Sequence, residues 1–294
     1  MTNGRARSLF RGFAALAGTT ALACIQFSPF EVGLPEEMRD QTAKNLAKLA
    51  RNQRPAVSRE RPLTFAFLSD THDAYRHWNR IVDYLNGRPE VELVVHAGDL
   101  TDLGMTQEYR WLYGAFSRLR APFFAVAGNH DGLSNGVSVY ASMFGPDNFV
   151  VEHAGVHFLF FNTNTLEWRM PEPDFGWLRR ELDRGRDART FVVTHHPPTS
   201  EPHLSPAQTQ RLWRTLREGG ADAYLYGHLH ADWGARQVEG IRFIKAKSAL
   251  DGSFYVITTD GERVRLESCV IDSCVPTLAT TSPGCDPPPP GPLR

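Results

Sequence analysis

The chain has 294 residues, with 32 Lys and Arg against 33 Asp and Glu, and is 41% hydrophobic and 22% charged. That balance excludes a disordered polyanion and a bundle of membrane helices, and the length gives room for one or two domains with a full core. A formal net charge of −1 argues against a protein that wraps long nucleic acid, whose affinity comes from many unpaired cations, and four cysteines are too few for a disulfide scaffold.

Residues 1–23 carry Arg5, Arg7 and Arg11 and no acid, with an apolar stretch from Gly12 to Ala23. A basic segment before a short apolar one is the pattern of a secretory signal, and the stretch is shorter than the ~18–20 residues a spanning helix needs. It ends in Ala21-Leu22-Ala23-Cys24, which resembles a bacterial lipoprotein signal with Cys24 as the lipidated first residue. A soluble secreted protein cut near Ala23 and a weak membrane anchor are the alternatives. The expected location is the cell envelope, with membrane attachment through a lipid on Cys24. Removing 1–23 leaves 29 basic and 33 acidic residues, formally −4.

Glu36–Asn52 places Met38, Ala43, Leu46, Ala47 and Leu49 in a polar run and reads as an amphipathic helix or spacer. Pro55–Arg61 reads as a linker, so 24–61 is expected to stand outside the body. From Leu63 short apolar runs alternate with longer periodic ones. Leu63–Leu68, Val91–His96, Phe123–Ala127, Phe191–Thr194 and Ala223–Tyr226 predict buried strands, whereas Trp78–Leu85, Gln107–Leu119, Phe175–Leu182 and Ala207–Leu216 predict helices. Phe149–His153 and Val156–Phe161 flank Ala154-Gly155, a hairpin signal. After Gly227, the runs Ala235–Val238, Ile241–Lys245, Phe254–Thr258 and Val264–Val270 predict antiparallel sheet without helices. An exported protein can oxidise two of Cys269, Cys274 and Cys285, and Cys269–Cys274 is one pairing that closes a small turn; free thiols are the alternative, and a zinc site there lacks a nearby His. The body is expected over 62–272 and a Pro-rich tail over 273–294, extended where Pro283–Arg294 allows neither helix nor sheet.

Polar groups recur at the C-terminal ends of the five buried strands, where open α/β sheets place their sites. In order they are Asp70-Thr71-His72, Gly98-Asp99-Leu100-Thr101-Asp102, Gly128-Asn129-His130-Asp131, His195-His196-Pro197-Pro198 and Gly227-His228-Leu229-His230. Singly each is an ordinary turn or a satisfied histidine. Jointly they deliver carboxylate, imidazole and amide oxygen to one sheet edge, a donor set without thiolate that suits Mn, Fe or Zn.

These five blocks resemble the calcineurin-like metallophosphoesterases, whose pattern runs Asp-x-His, Gly-Asp-x-x-Asp, Gly-Asn-His-(Asp/Glu), His, Gly-His-x-His. The resemblance covers about Leu63 to Val270. It implies an α/β fold, a four-layer αββα sandwich of two mixed sheets flanked by helices, with two divalent or trivalent metal ions at the strand ends. One ion would take Asp70, His72 and His230, the other Asn129, His195 and His228, with Asp99 bridging them. A hydroxide between the ions would attack phosphorus in line, His130 would act as the general acid, and Asp102 would orient it. His196 is expected to pack or orient its loop. His96 reads as core, His153 and His157 as hairpin residues and His203 as a loop residue, while His77 and Asn162–Thr165 are weaker candidates for substrate contact.

The implied activity is hydrolysis of a small phosphate ester. Where Ser/Thr protein phosphatases of the family carry Arg after the second block and Glu after Gly-Asn-His, this chain has Leu103 and Asp131, which favours phosphodiesters. The alternatives are a phosphomonoesterase, a nuclease of the same fold, and a non-catalytic metal-binding envelope lipoprotein.

Overall fold

A computed structural model describes residues 32–199, 203–230 and 234–277. The expected signal 1–23, Cys24, Cys285 and the run Pro283–Arg294 lie outside the described residues. Two six-stranded sheets make up the body. The first contains β1 (Leu63–Leu68), β2 (Val91–His96), β3 (Phe123–Ala125), β10 (Ser253–Thr259), β11 (Val264–Val270) and β12 (Ser273–Thr277), in the order β12-β11-β10-β1-β2-β3. The second contains β4 (Phe149–His153), β5 (Val156–Phe160), β6 (Arg189–Val193), β7 (Ala223–Tyr226), β8 (Gly234–Val238) and β9 (Ile241–Lys245), in the order β4-β5-β6-β7-β9-β8. Both sheets are mixed: β1-β2-β3 and β5-β6-β7-β9 run parallel, and the remaining pairs antiparallel.

The period-2 alternation of the strands explains the layering. Phe65 and Phe67 of β1 point between the sheets and meet Phe158, Phe160 and Phe191, with Phe65 and Phe158 edge-on at 5.2 Å. The intervening Ala66 and Leu68 face the other way, onto α2 (Tyr75–Asn86). That helix buries Trp78, Ile81, Val82 and Leu85, the i, i+3, i+4, i+7 stripe of a helix seated on a sheet. It is joined on the same face by α3 (Thr106–Phe116) and α4 (Gly136–Phe144). On the outer face of the second sheet, Leu159, Val192 and Tyr224 pack against Leu178 and Leu182 of α5 (Phe175–Arg184) and Leu212 and Leu216 of α6 (Pro206–Gly219). The start of α6 is fixed by reciprocal bonds between Ser205 and Gln208 and its end by Gly220 at φ 73°. The result is the four-layer αββα sandwich.

Three sequence expectations are corrected. Glu36–Asn52 is one 3-10 turn at Glu36–Met38 followed by α1 (Gln41–Ala50), interrupted at Asp40 with φ 53°. It is not a spacer: its apolar side seeks burial, so Leu49 enters the core between the sheets, and Asn45 Oδ1 accepts the Phe123 N–H at 3.0 Å. The C-terminal part is not purely antiparallel, because the tight turn at Glu239-Gly240 (φ 48° and 86°) folds β8 outward and lets β9 meet β7 in parallel register. Finally, residues 273–277 belong to the sheet as β12. Cys269 and Cys274 are opposite each other and disulfide-bonded, and Pro276 is tolerated because β12 is an edge strand.

At the N-terminal end of β2, Glu92 accepts from Arg54 Nε at 2.8 Å and Nη2 at 2.7 Å, and lies 2.8 Å from His153 Nε2. Burial opposes its ionisation, but His153 and Arg54 outweigh that and hold the carboxyl down to about 2. A carboxyl depressed in the fold stabilises it above the ordinary value of 4.5, and that contribution is lost as pH falls through the folded value. The urea midpoint of the wild type is therefore expected to drop more steeply between pH 4.5 and about 2 than that of Glu92→Gln. Parallel pH profiles would show that the triad carries no such linkage.

Candidate metal centre

Because β1, β2 and β3 run parallel, as do β6 and β7, their C-terminal ends open onto a common edge of the sandwich. The loops after them carry all nine residues singled out from the sequence. Asp70, His72, Asp99 and His228 adopt left-handed backbone conformations, with φ of 55°, 44°, 55° and 70°. Non-glycine residues reach that region at a cost that neighbouring contacts must offset. Here the offset is visible: Asp70 N–H donates to Gly98 O at 3.0 Å, and Thr71 and His72 N–H both donate to Asp99 O, at 2.8 and 3.2 Å. Gly98, at φ 89°, passes so close to the next loops that a Cβ there would lie 2.8 Å from His195 Nδ1 and from Gly128. A side chain at Gly128 would collide with Asp99.

Two groups of donor atoms result. Asp70, His72 and His230 each bring one atom within 4.8 Å of the others, with His230 Nε2 3.4 Å from Asp70 Oδ1. Asn129 Oδ1 lies 3.0 Å from His195 Nε2 and 3.2 Å from His228 Nδ1, and the two imidazole nitrogens are 3.2 Å apart. Asp99 stands between the groups: its Oδ2 is 3.2 Å from His195 Nε2 and 3.6 Å from His72 Nε2. Its Oδ1 accepts the His130 N–H at 2.9 Å.

The residues present fit a cation. Asp70 Oδ1 and both nitrogens of His72 are buried without a hydrogen-bond partner, an expense a fold does not carry without return. His195 Nδ1 lies 2.8 Å from Ala97 O. A carbonyl only accepts, so Nδ1 carries a hydrogen, and Nε2 faces the oxygens of Asn129 and Asp99, as a donor while it is protonated and with its lone pair once a cation displaces that proton. Acceptors converging on one point call for a positive charge among them. The electrostatics agree. Burial would raise Asp99, yet the imidazoles of His195, His130 and His72 hold it below the ordinary carboxylate range. Burial would lower His195, yet the charge of Asp99 lifts it to about 9. Burial lowers His72, and burial with neighbouring His195 brings His228 down to about 4.

His130 is half-exposed and meets His72 edge-on, ring centroids 4.6 Å apart. Its expected tie to Asp102 runs through the backbone: His130 Nδ1 is 2.7 Å from Asp102 O, whereas the carboxylate is 3.8 Å away and closer to His72 Nδ1, at 3.4 Å. The carbonyl holds the proton on Nδ1 and leaves Nε2 as the exchanging atom. His196 is fully buried, 3.2 Å from Thr163 Oγ1, and stacked on His203 at 3.7 Å. It also shares a potential donor group with His195 and His228. His77 is 2.7 Å from Leu250 O, Asn162 binds Asp147, and Asn164 donates to Ala127 O. These bonds brace loops.

Sequence reading used Asp131 only as a mark of diester preference and placed His96 in the core, without the bonds that the structure gives them. Asp131 is fully buried and accepts from the N–H groups of Gly128 (2.8 Å), Leu100 (2.9 Å) and Thr101 (3.0 Å) and from the Thr101 hydroxyl (3.0 Å). It ties the loop after β2 to the loop after β3. The only signal in the sequence is an acid directly after Asn129-His130. His96 is buried as expected, but it is not merely core, because both its nitrogens are within bonding distance of loop atoms.

The fold is that of the metallo-dependent phosphatases. A dimetal phosphatase from Danio rerio aligns with a TM-score of 0.56 at 14% identity, over 74% of this chain and 100% of that one. The sequence profile of calcineurin-like phosphoesterases matches residues 63–232, more than half of the chain, and the chain belongs to that family. A probable glycerophosphodiester phosphodiesterase from Arcobacter nitrofigilis is 27% identical over 137 residues, 44% of this chain and 50% of that protein. A 3′,5′-cyclic-nucleotide phosphodiesterase from Nostoc sp. is 25% identical over 176 residues, 55% of this chain and 64% of that protein. The chain thus spans less than two thirds of the length of either curated relative.

Proposed function

We propose that the protein is a metal-dependent phosphoesterase acting on small phosphodiesters. The observation that carries this reading is the convergence of carboxylate, amide and imidazole groups on two adjoining points, Asp70 Oδ1 and both His72 nitrogens among them buried without a hydrogen-bond partner, with His130 at their rim. Asp70, His72 and His230 would hold one ion, Asn129, His195 and His228 the other, and Asp99 would serve both. The donor set suits Mn, Fe or Zn. When bound, such ions neutralise charge on phosphoryl oxygens and make water acidic enough to supply a nucleophile near neutral pH.

The chain's own residues do the rest. Asp99 Oδ1 fixes the His130 backbone and Asp102 O fixes its ring, so Nε2 is presented outward. As the phosphorus–oxygen bond to the leaving alcohol breaks and water oxygen bonds to phosphorus, imidazolium Nε2 gives its proton to the leaving oxygen. The names of both curated relatives favour diesters over monoesters, as do Leu103 and Asp131. Chelator-treated protein is expected to be inactive on bis-p-nitrophenyl phosphate and to regain hydrolysis with Mn²⁺, with slower release from p-nitrophenyl phosphate. Protein that binds two ions yet turns over no member of a broad panel of diesters and monoesters would support the binding-protein reading.

We further propose export, with 1–23 as a signal, 24–61 joined to a body that extends through β12, and a lipid on Cys24 as the membrane attachment. The basic and apolar pattern of 1–23 supports this, as does the Cys269–Cys274 disulfide, a bond that persists in oxidising compartments. A mature N-terminus at Met1 would refute export, and absence of incorporated labelled fatty acid would refute the anchor.

A further inference from the structure

His96 is the last residue of β2, three positions before Asp99, and its ring is completely buried between Trp78 and Phe123, with centroids at 6.2 and 6.1 Å. Its Nδ1 lies 3.2 Å from the Gly98 N–H, and its Nε2 lies 2.7 Å from Thr71 Oγ1. An amide N–H only donates, so Nδ1 is the acceptor and the ring hydrogen sits on Nε2, where it donates to Thr71 Oγ1. One neutral imidazole thereby spans the loop after β1 and the loop after β2.

The two residues it grips are the ones on which the site depends. Thr71 separates Asp70 and His72, both in left-handed conformations, and Gly98 precedes Asp99, also left-handed. Such a run of unfavourable backbone persists only where contacts over-determine it. The Thr71 hydroxyl is fully buried, and its partner is His96.

We propose that His96 is a positioning residue that sets the spacing between the Asp70/His72 pair and Asp99 by clamping Thr71 to Gly98. Its two ring nitrogens bond to Thr71 and Gly98 and not to the proposed ligands. The proposal rests on the reading that Asp70, His72 and Asp99 hold metal, and goes beyond it by assigning the clamp.

The decisive variant is Thr71→Val, which keeps the shape of the side chain and removes the hydroxyl, paired with Thr71→Ser, which restores it. Mn²⁺ titration of the chelator-treated full chain, followed by calorimetry, is expected to show roughly 10–100-fold weaker binding of one ion in Thr71→Val, wild-type binding in Thr71→Ser, and kcat reduced with little change in KM. His96→Phe should weaken binding at least as much, since it also releases the Gly98 N–H, and the double variant should be no worse than His96→Phe, in which the Thr71 bond is already lost. If His96→Phe does not fold, the two Thr71 variants still decide. Wild-type affinity in Thr71→Val, or equal loss in Thr71→Val and Thr71→Ser, would overturn the clamp while leaving the metal reading intact. Wild-type protein that binds no Mn²⁺ would overturn both.

Discussion

Replacing Asp99 with alanine is expected to lower turnover of bis-p-nitrophenyl phosphate at least ~10³-fold and to leave the protein unable to retain two ions. Asp99 faces both donor groups and the backbone of His130. Its Oδ2 looks toward His195 at 3.2 Å and His72 at 3.6 Å, and its Oδ1 holds the His130 N–H at 2.9 Å. The change therefore removes charge from both donor groups and releases the proposed acid at once. His130→Ala should behave differently: the ions stay, and turnover falls by about 10²–10⁴, the range of a general acid. Steady-state rates measured beside metal content by plasma emission separate the cases. Hydrolysis that persists undiminished in both variants would refute the assignment of the site.

Asp131→Ala is expected to cost at least about 3 kcal/mol of stability, the largest effect we foresee on the fold itself. The carboxylate is completely enclosed and accepts from three backbone N–H groups and one hydroxyl. Alanine leaves all four donors buried and unpaired, and each then bears its own desolvation cost. Asp131→Asn should fall between, since its amide oxygen serves some of the donors while its NH₂ confronts others. Urea unfolding with the metal removed measures this without interference from ligand binding. A midpoint for Asp131→Ala equal to that of the wild type would show that the loops after β2 and β3 are held by something else.

The placement of the site was legible because it depends on strand direction and side-chain alternation, both written locally. Asp70-Thr71-His72 and His228-Leu229-His230 each follow an apolar run, and such runs in α/β units end at the same sheet edge. The same periodicity marks the individual strands and helices, whereas their division into two sheets came from the family resemblance. What was not legible depends on partners distant in the chain. Nothing near Glu239-Gly240 says that β9 will pair with β7 rather than continue an antiparallel series. Nothing at His203 says that its ring will stack on His196. The structure brings Asp102 beside His130, but whether its carboxylate or its carbonyl makes the bond is decided by a backbone turn that residue type does not encode. The bracing roles of Asp131 and His96 were not legible for a common reason: each acts on backbone N–H groups, which every sequence contains and no motif marks.

The position of β10 has a consequence for the order in which the molecule can be assembled. It is the neighbour of β1, and the segment leading into it grips the first ligand loop: Ala249 N–H donates to Ser69 O at 2.9 Å, Leu250 N–H to Asp70 O at 3.2 Å, and Ser248 Oγ to Asp70 O, 178 positions away in the chain. All nine candidate residues lie at or before His230, yet the bonds to the Ser69 and Asp70 carbonyls come from some twenty residues later. A chain growing from its N-terminus thus carries a full complement of donors before the first ligand loop gains its last clasp, and ion selectivity is complete only once 248–250 have been added.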